Sequence, residues 1–274
     1  MEKVTVPGLQ GMKRNSRKIV GLVAWDCQMA RIADRAGVDI VSVGDTVGVN
    51  LWGQDNPLEV TMEQMLIVCQ AVRRGVTRAL VSCDFPFGPL QEGTASAVRA
   101  AIRLVKEGGV DMVKLDGAAD FPDAVVAITR AGIPVFAQFG VTPQTALRDG
   151  ITYRSTPNSA DEVPAARTDQ MVAQAKALEA AGASLLNFTN SGPVVGAAVV
   201  EAVSIPVLGG FGGGPWLDGR IRLCSTAIGY RADNLDVPLA ESYANVAKVA
   251  FDAITAFSAD VREGSQVKGG APTL

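Results

Sequence analysis

One pattern recurs along this sequence. A stretch of helical character closes on small residues, a short apolar run rich in β-branched side chains follows, and a polar tip ends it. It is present at residues 33–44 (ADRAGVDIVSVG), 105–117 (VKEGGVDMVKLDG), 128–140 (ITRAGIPVFAQFG), 178–190 (LEAAGASLLNFTN) and 200–209 (VEAVSIPVLG). The junction glycine suits a helix C-cap, and the unbroken apolar run suits a parallel strand buried on both faces. Further strand-like runs at 19–24, 79–83 and near 220–223 bring the total to about eight. That count predicts an α/β protein folded as a closed (β/α)8 TIM barrel rather than an open doubly wound sheet. No low-complexity linker divides the chain, so residues 1–274 read as a single barrel domain with an N-terminal extension and a C-terminal helical region at 237–261. The polar stretch 150–163 reads as a surface loop.

Composition narrows the chemistry. With 48% hydrophobic and 19% charged residues the chain can bury a large core, and its apolar runs are too short to span a bilayer. The first residues, MEKV, lack the apolar block of a secretory signal, and four scattered cysteines make no disulfide framework, so a cytoplasmic location is expected. A net charge of −3 and 5% aromatic residues supply neither a basic field nor a stacking platform, which argues against nucleic acid as a partner. The chain contains no histidine. Histidine-based triads, zinc sites and acid/base pairs are excluded, leaving carboxylates, lysine, hydroxyls, thiols and backbone.

In a barrel of this kind the active site lies at the C-terminal ends of the strands. The polar residues that directly follow apolar runs are Asp45 and Thr46, Asp84, Lys114 and Asp116, Gln138, and Asn187, Thr189 and Asn190. Three carboxylates converge on one rim with a single lysine, a cost in charge repulsion that a bound divalent cation would remove. With oxygen ligands only, Mg²⁺ or Mn²⁺ fits better than Zn²⁺, with Asp45 and Asp84 as direct ligands and Asp116 behind them. The glycine-rich run 209–214 lacks both dinucleotide and Walker spacing and reads as a tight loop. Cys83 adjoins Asp84, but strand alternation turns it away from the site, so the thiols read as packing residues.

These residues sit within segments that resemble the ketopantoate hydroxymethyltransferase family, of the phosphoenolpyruvate mutase/isocitrate lyase superfamily. The resemblance covers nearly the whole chain. It runs through TVPGLQGMK, VAWDCQMARIADRAGVDIVSVGDTVG, PLEVTMEQM with AVRRG, CDFPF, VKLDG, FGVTPQ, IPVLGG and SYANV. It implies that Asp45 and Asp84 bind Mg²⁺, that Thr46 replaces a serine holding the substrate, and that Lys114 and Asp116 match a substrate-binding Lys and a metal-associated Glu. The implied reaction is β-hydroxymethylation, in which a 2-oxo acid on Mg²⁺ becomes an enolate that attacks a one-carbon unit from methylenetetrahydrofolate. It also implies a homo-oligomer.

Two departures fall where the family touches the reacting carbon. Its catalytic Glu is matched by Thr189, flanked by Asn187 and Asn190, and its His by Gln138; none of these accepts a proton at neutral pH. The glycine-rich loop is also about one residue longer before Asp218 and Gly219. Three readings follow: hydroxymethyl transfer to 3-methyl-2-oxobutanoate, a divergent 2-oxo acid lyase, decarboxylase or aldolase, and a non-catalytic metabolite-binding homologue.

Overall fold

A computed structural model describes residues 2–148, 150, 162–236 and 242–264. The chain forms two compact units, Met1–Arg222 and Leu223–Leu274. Most of the polar loop expected at 150–163 and the start of the helical region expected at 237–261 lie outside the described residues.

The first unit is built on a closed barrel of parallel strands in sequence order. Helix α1 (Val6–Arg14) precedes β1 (Ile19–Val23), and α2 (Cys27–Arg35) leads to β2 (Ile40–Val43). The short α3 (Val47–Leu51) and the longer α4 (Met62–Gly75) lead to β3 (Leu80–Asp84). Then come α5 (Thr94–Lys106), β4 (Met112–Leu115), α6 (Pro122–Arg130), β5 (Val135–Gly140), α7 (Thr168–Ala180), β6 (Leu185–Thr189), α8 (Pro193–Ala202), β7 (Val207–Gly210) and β8 (Gly219–Leu223). All eight expected strands are present, and β8 closes on β1 where the Ile19 amide donates to the Asp218 carbonyl.

Local chemistry sets the helix ends. Asp26 caps α2 by accepting from the Gln28 and Met29 amides at 2.8 Å each, and Thr61 with Gln64 forms a capping box on α4. At the far ends, Gly132 and Gly182 stop α6 and α7 with φ of +83° and +96°, the left-handed conformation that lets the chain turn into the next strand. The alternation of helix and strand fails once. Residues 211–218 connect β7 to β8 with no helix, because a glycine-rich stretch gives up too much backbone entropy to form one.

Strand alternation sorts the side chains. Leu80, Ser82 and Asp84 share the inner face of β3, and Met112 and Lys114 that of β4. Ser82 donates to its register partner Ser42 on the neighbouring β2 at 2.8 Å. Cys83 points outward to Cys69 of α4, as alternation requires.

The second unit holds α9 (Cys224–Ala227) and α10 (Val246–Arg262), the latter capped by the Asn245 side chain, which accepts from the Lys248 amide. Among the described residues no helix is long and apolar enough to cross a membrane.

Candidate active site

Three neighbouring strands carry the charged residues. Asp45 and Thr46 follow β2, Asp84 ends β3, and Lys114 and Asp116 lie at the end of β4; all five are buried. The β3–β4 register places Asp84 directly beside Lys114, whose Nζ donates to Oδ1 and Oδ2 of Asp84 at 3.1 Å each.

Sequence reasoning assigned no role to Gln144, which ties this cluster together. Its Nε2 donates to Oδ2 of Asp45 at 2.8 Å and to the Phe85 carbonyl at 2.9 Å, while its backbone amide donates to Oδ2 of Asp116 at 3.3 Å. Thr142 also bonds the Asp116 carboxylate. The signal for both residues was the FGVTPQ segment, which holds them one turn beyond β5.

The charges act on one another. Burial and the facing Asp84 and Asp116 carboxylates hold the Asp45 carboxyl well above the usual range. Burial also raises Asp84, partly offset by Lys114, and pushes Asp116 up to about 6 against the pull of Thr142 and Lys114. Burial alone would lower the Lys114 ammonium, but the three carboxylates outweigh it and raise its pKa.

This arrangement suits a hard cation. Three carboxylates face one ammonium, and Oδ1 of Asp116 is buried without a hydrogen-bond partner. Among the described residues no group of three Asp, Glu, His or Cys side chains is arranged to enclose an ion alone. Two carboxylates with water and substrate oxygens completing the shell is the usual manner of Mg²⁺.

The adjoining strands carry a different surface. Gln138 of β5 pairs in register with Asn187 of β6, and Thr189 stands between Gly140 of β5 and Gly210 of β7. A Cβ on Gly210 would lie 2.9 Å from Nδ2 of Asn187, so glycine there leaves room for that side chain. Asn187 donates to the Leu208 carbonyl at 3.3 Å and Asn190 to the Val141 carbonyl at 3.0 Å, so both amides brace the rim. Oε1 of Gln138, Oγ1 of Thr189, Oγ of Ser191 and Oγ1 of Thr46 are buried without a partner. The rim is therefore divided, charged from β2 to β4 and neutral along β5 and β6.

A closed parallel barrel with its ionisable side chains gathered at the C-terminal strand ends has the design of a (β/α)8 barrel enzyme. More narrowly, the chain belongs to the ketopantoate hydroxymethyltransferase family, whose profile matches residues 3–266. It is 37% identical over 262 residues to the 3-methyl-2-oxobutanoate hydroxymethyltransferase of Cyanothece sp., covering 94% of this chain and 96% of that one. It is 38% identical over 264 residues to the Pyrococcus abyssi protein of the same name, covering 96% and 90%. Two solved structures share the fold at low identity. One is 2,3-dimethylmalate lyase, a PEP mutase/isocitrate lyase superfamily member, at 16% identity and a TM-score of 0.61 over 98% of this chain and 92% of that one. The other is phosphonopyruvate hydrolase in complex with oxalate and Mg²⁺, at 14% identity and a TM-score of 0.56 over 99% and 92%.

Proposed function

We propose that this protein is a Mg²⁺-dependent enzyme that makes or breaks a carbon–carbon bond next to the carbonyl of a 2-oxo acid. Hydroxymethyl transfer to 3-methyl-2-oxobutanoate, with methylenetetrahydrofolate as donor, is the reaction its family membership favours. The observation that carries the reading is the buried cluster of Asp45, Asp84, Lys114 and Asp116 at the strand ends.

Asp45 and Asp84 would hold the cation, which when bound supplies a Lewis acid for the carbonyl and carboxylate oxygens. Lys114 supplies the counter-charge for the substrate carboxylate, moving from the Asp84 oxygens that it now contacts. Thr46 offers a hydroxyl to the same end of the substrate. Gln144 keeps Asp45 and Asp116 at fixed separation, and Asp116, protonated near neutrality more readily than an exposed carboxyl, can hold a proton beside the reacting centre.

Thr189 favours a second reading, cleavage of a 2-oxo acid. Its hydroxyl cannot remove a proton from carbon, whereas bond cleavage reaches the same carbanionic carbon without that step. Turnover assays decide between them. Mg²⁺-dependent loss of 3-methyl-2-oxobutanoate that requires methylenetetrahydrofolate supports transfer. Mg²⁺-dependent splitting of a longer 2-oxo acid with no donor supports cleavage. Inactivity in both, with folded and Mg²⁺-loaded protein, would contradict the enzyme assignment.

A further inference from the structure

We infer that a cavity separate from the charged rim takes a small organic carboxylate. It has a volume of about 230 Å³ and lies among the loop after β4, the loop after β5 and the start of α7. That space equals roughly eight water molecules, enough for a short-chain acid. None of Asp45, Asp84, Lys114 and Asp116 lines it.

One wall comes from a single face of α7 and its N-cap. Arg167, Gln170 and Gln174 recur at helical spacing and all line the cavity. Among the described residues the only hydrogen bond of Arg167 runs from its Nε to Oε1 of Gln170 at 3.0 Å, and no carboxylate pairs with it. That bond occupies the Gln170 acceptor and leaves its Nε2 as a donor. Arg148, also on the lining, is paired already and donates to Oδ2 of Asp120 at 2.6 Å.

These charges select the ligand. With Arg148 and Asp120 cancelling, the lining keeps one positive charge, at Arg167, which a monoanion neutralises. A guanidinium fork meets both oxygens of a carboxylate, and the Gln170 and Gln174 amides add donors beside it. A phosphate dianion would bring surplus negative charge to the Asp120 carboxylate, and an ammonium would face Arg167. Phe139 and Ala119 add apolar surface that suits a short carbon chain. Thr142 belongs to both places: it lines the cavity, shares a hydrogen bond with Thr145 at 3.0 Å and bonds the Asp116 carboxylate. An occupant therefore sits one side chain away from the charged rim. Two sources bring a carboxylate there, a free acid and the carboxylate end of a methylenetetrahydrofolate donor.

The test is saturation-transfer NMR with butanoate and its uncharged match, butanol, on chelated protein, so that no metal ion at the rim competes for the carboxylate. Butanoate should bind ~10-fold or more tightly than butanol, and Arg167→Gln should remove most of that preference while leaving Mg²⁺ binding unchanged. Gln174→Leu should weaken butanoate several-fold and carries the comparison should Arg167→Gln fail to fold. Displacement of butanoate by tetrahydrofolate would assign the cavity to the donor's carboxylate end, and simultaneous binding of the two would assign it to a free acid. Butanoate that does not bind at ~10 mM, binds no better than butanol, or keeps its affinity in both variants would overturn the inference. The 2-oxo acid reading would stand in that case, since it rests on the charged rim.

Discussion

Lys114 spans both carboxylate oxygens of Asp84 at 3.1 Å, across a strand pair that places the two residues side by side. The ammonium offsets a buried carboxylate that also acts on Asp45 and Asp116. Lys114→Met should therefore destabilise the metal-free protein by about 3 kcal/mol, because it strands a buried carboxylate. Added Mg²⁺ should recover part of that loss. Urea melts with and without Mg²⁺ check both, and a loss indifferent to the ion would mean that Asp84 does not bind it.

The buried carboxyls also make stability depend on pH. Asp116 has a folded-state pKa of about 6 against an ordinary value of 3.8, and Asp45 is raised well above the same value. These two groups thus hold protons in the native state that the unfolded chain has lost between these limits, so the stability they contribute is full below pH ~4 and falls as pH rises through about 6. Asp116 alone is worth roughly 3 kcal/mol over that window. Denaturant midpoints measured from pH 4 to 7 should fall in the metal-free protein, and Asp116→Asn should flatten the curve.

Gln144 gives a third expectation. Gln144→Leu removes a side-chain donor to the Asp45 carboxylate, so that carboxyl should become harder to ionise. Mg²⁺ affinity, read as the midpoint of metal-induced thermal stabilisation, should fall ~10-fold or more. Unchanged affinity would place the cation away from Asp45.

Gly140 tests the neutral half of the rim. Its φ is +100°, and an added Cβ would lie 2.5 Å from the Thr189 carbonyl oxygen and 3.0 Å from the Phe188 ring. Phe188 is itself stacked on Phe139 at 4.7 Å and has little freedom to move. Gly140→Ala should cost about 2 kcal/mol or more in denaturant melts, since both backbone strain and a clash oppose it. A neutral effect would mean that β5 can shift at this point without disturbing Thr189.

Much of the barrel was legible because each strand is an apolar run bounded by glycine and a polar tip, and burial on both faces leaves few alternatives to a parallel sheet. The helix missing between β7 and β8 was written in the glycines of 209–214, but counting repeats gives no weight to a segment that lacks one. Gln144 was hidden for another reason. Its partner Asp45 is 99 residues away, and only closure of the barrel brings the loop after β5 over the end of β2. Strand-end position did separate the raised carboxylates of the candidate site from a carboxylate cradled by backbone amides. Asp34, at the end of α2, is as buried as Asp116, yet it is held below the ordinary range because the Ala79, Thr77 and Arg78 amides and the Thr77 hydroxyl outweigh its burial. Asp45, at a strand tip, has no such cradle and is raised.

Thr189 at the end of β6 offers a hydroxyl and no base, which has a kinetic consequence. Exchange of the C3 proton of 3-methyl-2-oxobutanoate with solvent deuterium should be slow in the natural protein, since a positioned base is typically worth ~10²–10⁴-fold. Thr189→Glu should accelerate it. Fast exchange in the natural protein, detected by proton NMR, would mean that another group removes the proton and would end the case for cleavage.

The charged rim is expected to join a cation and a 2-oxo acid. Isothermal titration of 3-methyl-2-oxobutanoate into the protein, with Mg²⁺ and after chelation, measures this directly. Binding that requires Mg²⁺, is abolished by Asp45→Asn or Asp84→Asn, and is weakened by Lys114→Met is the result the geometry predicts. Binding of equal strength without the ion, or left intact in both Asp variants, would contradict it.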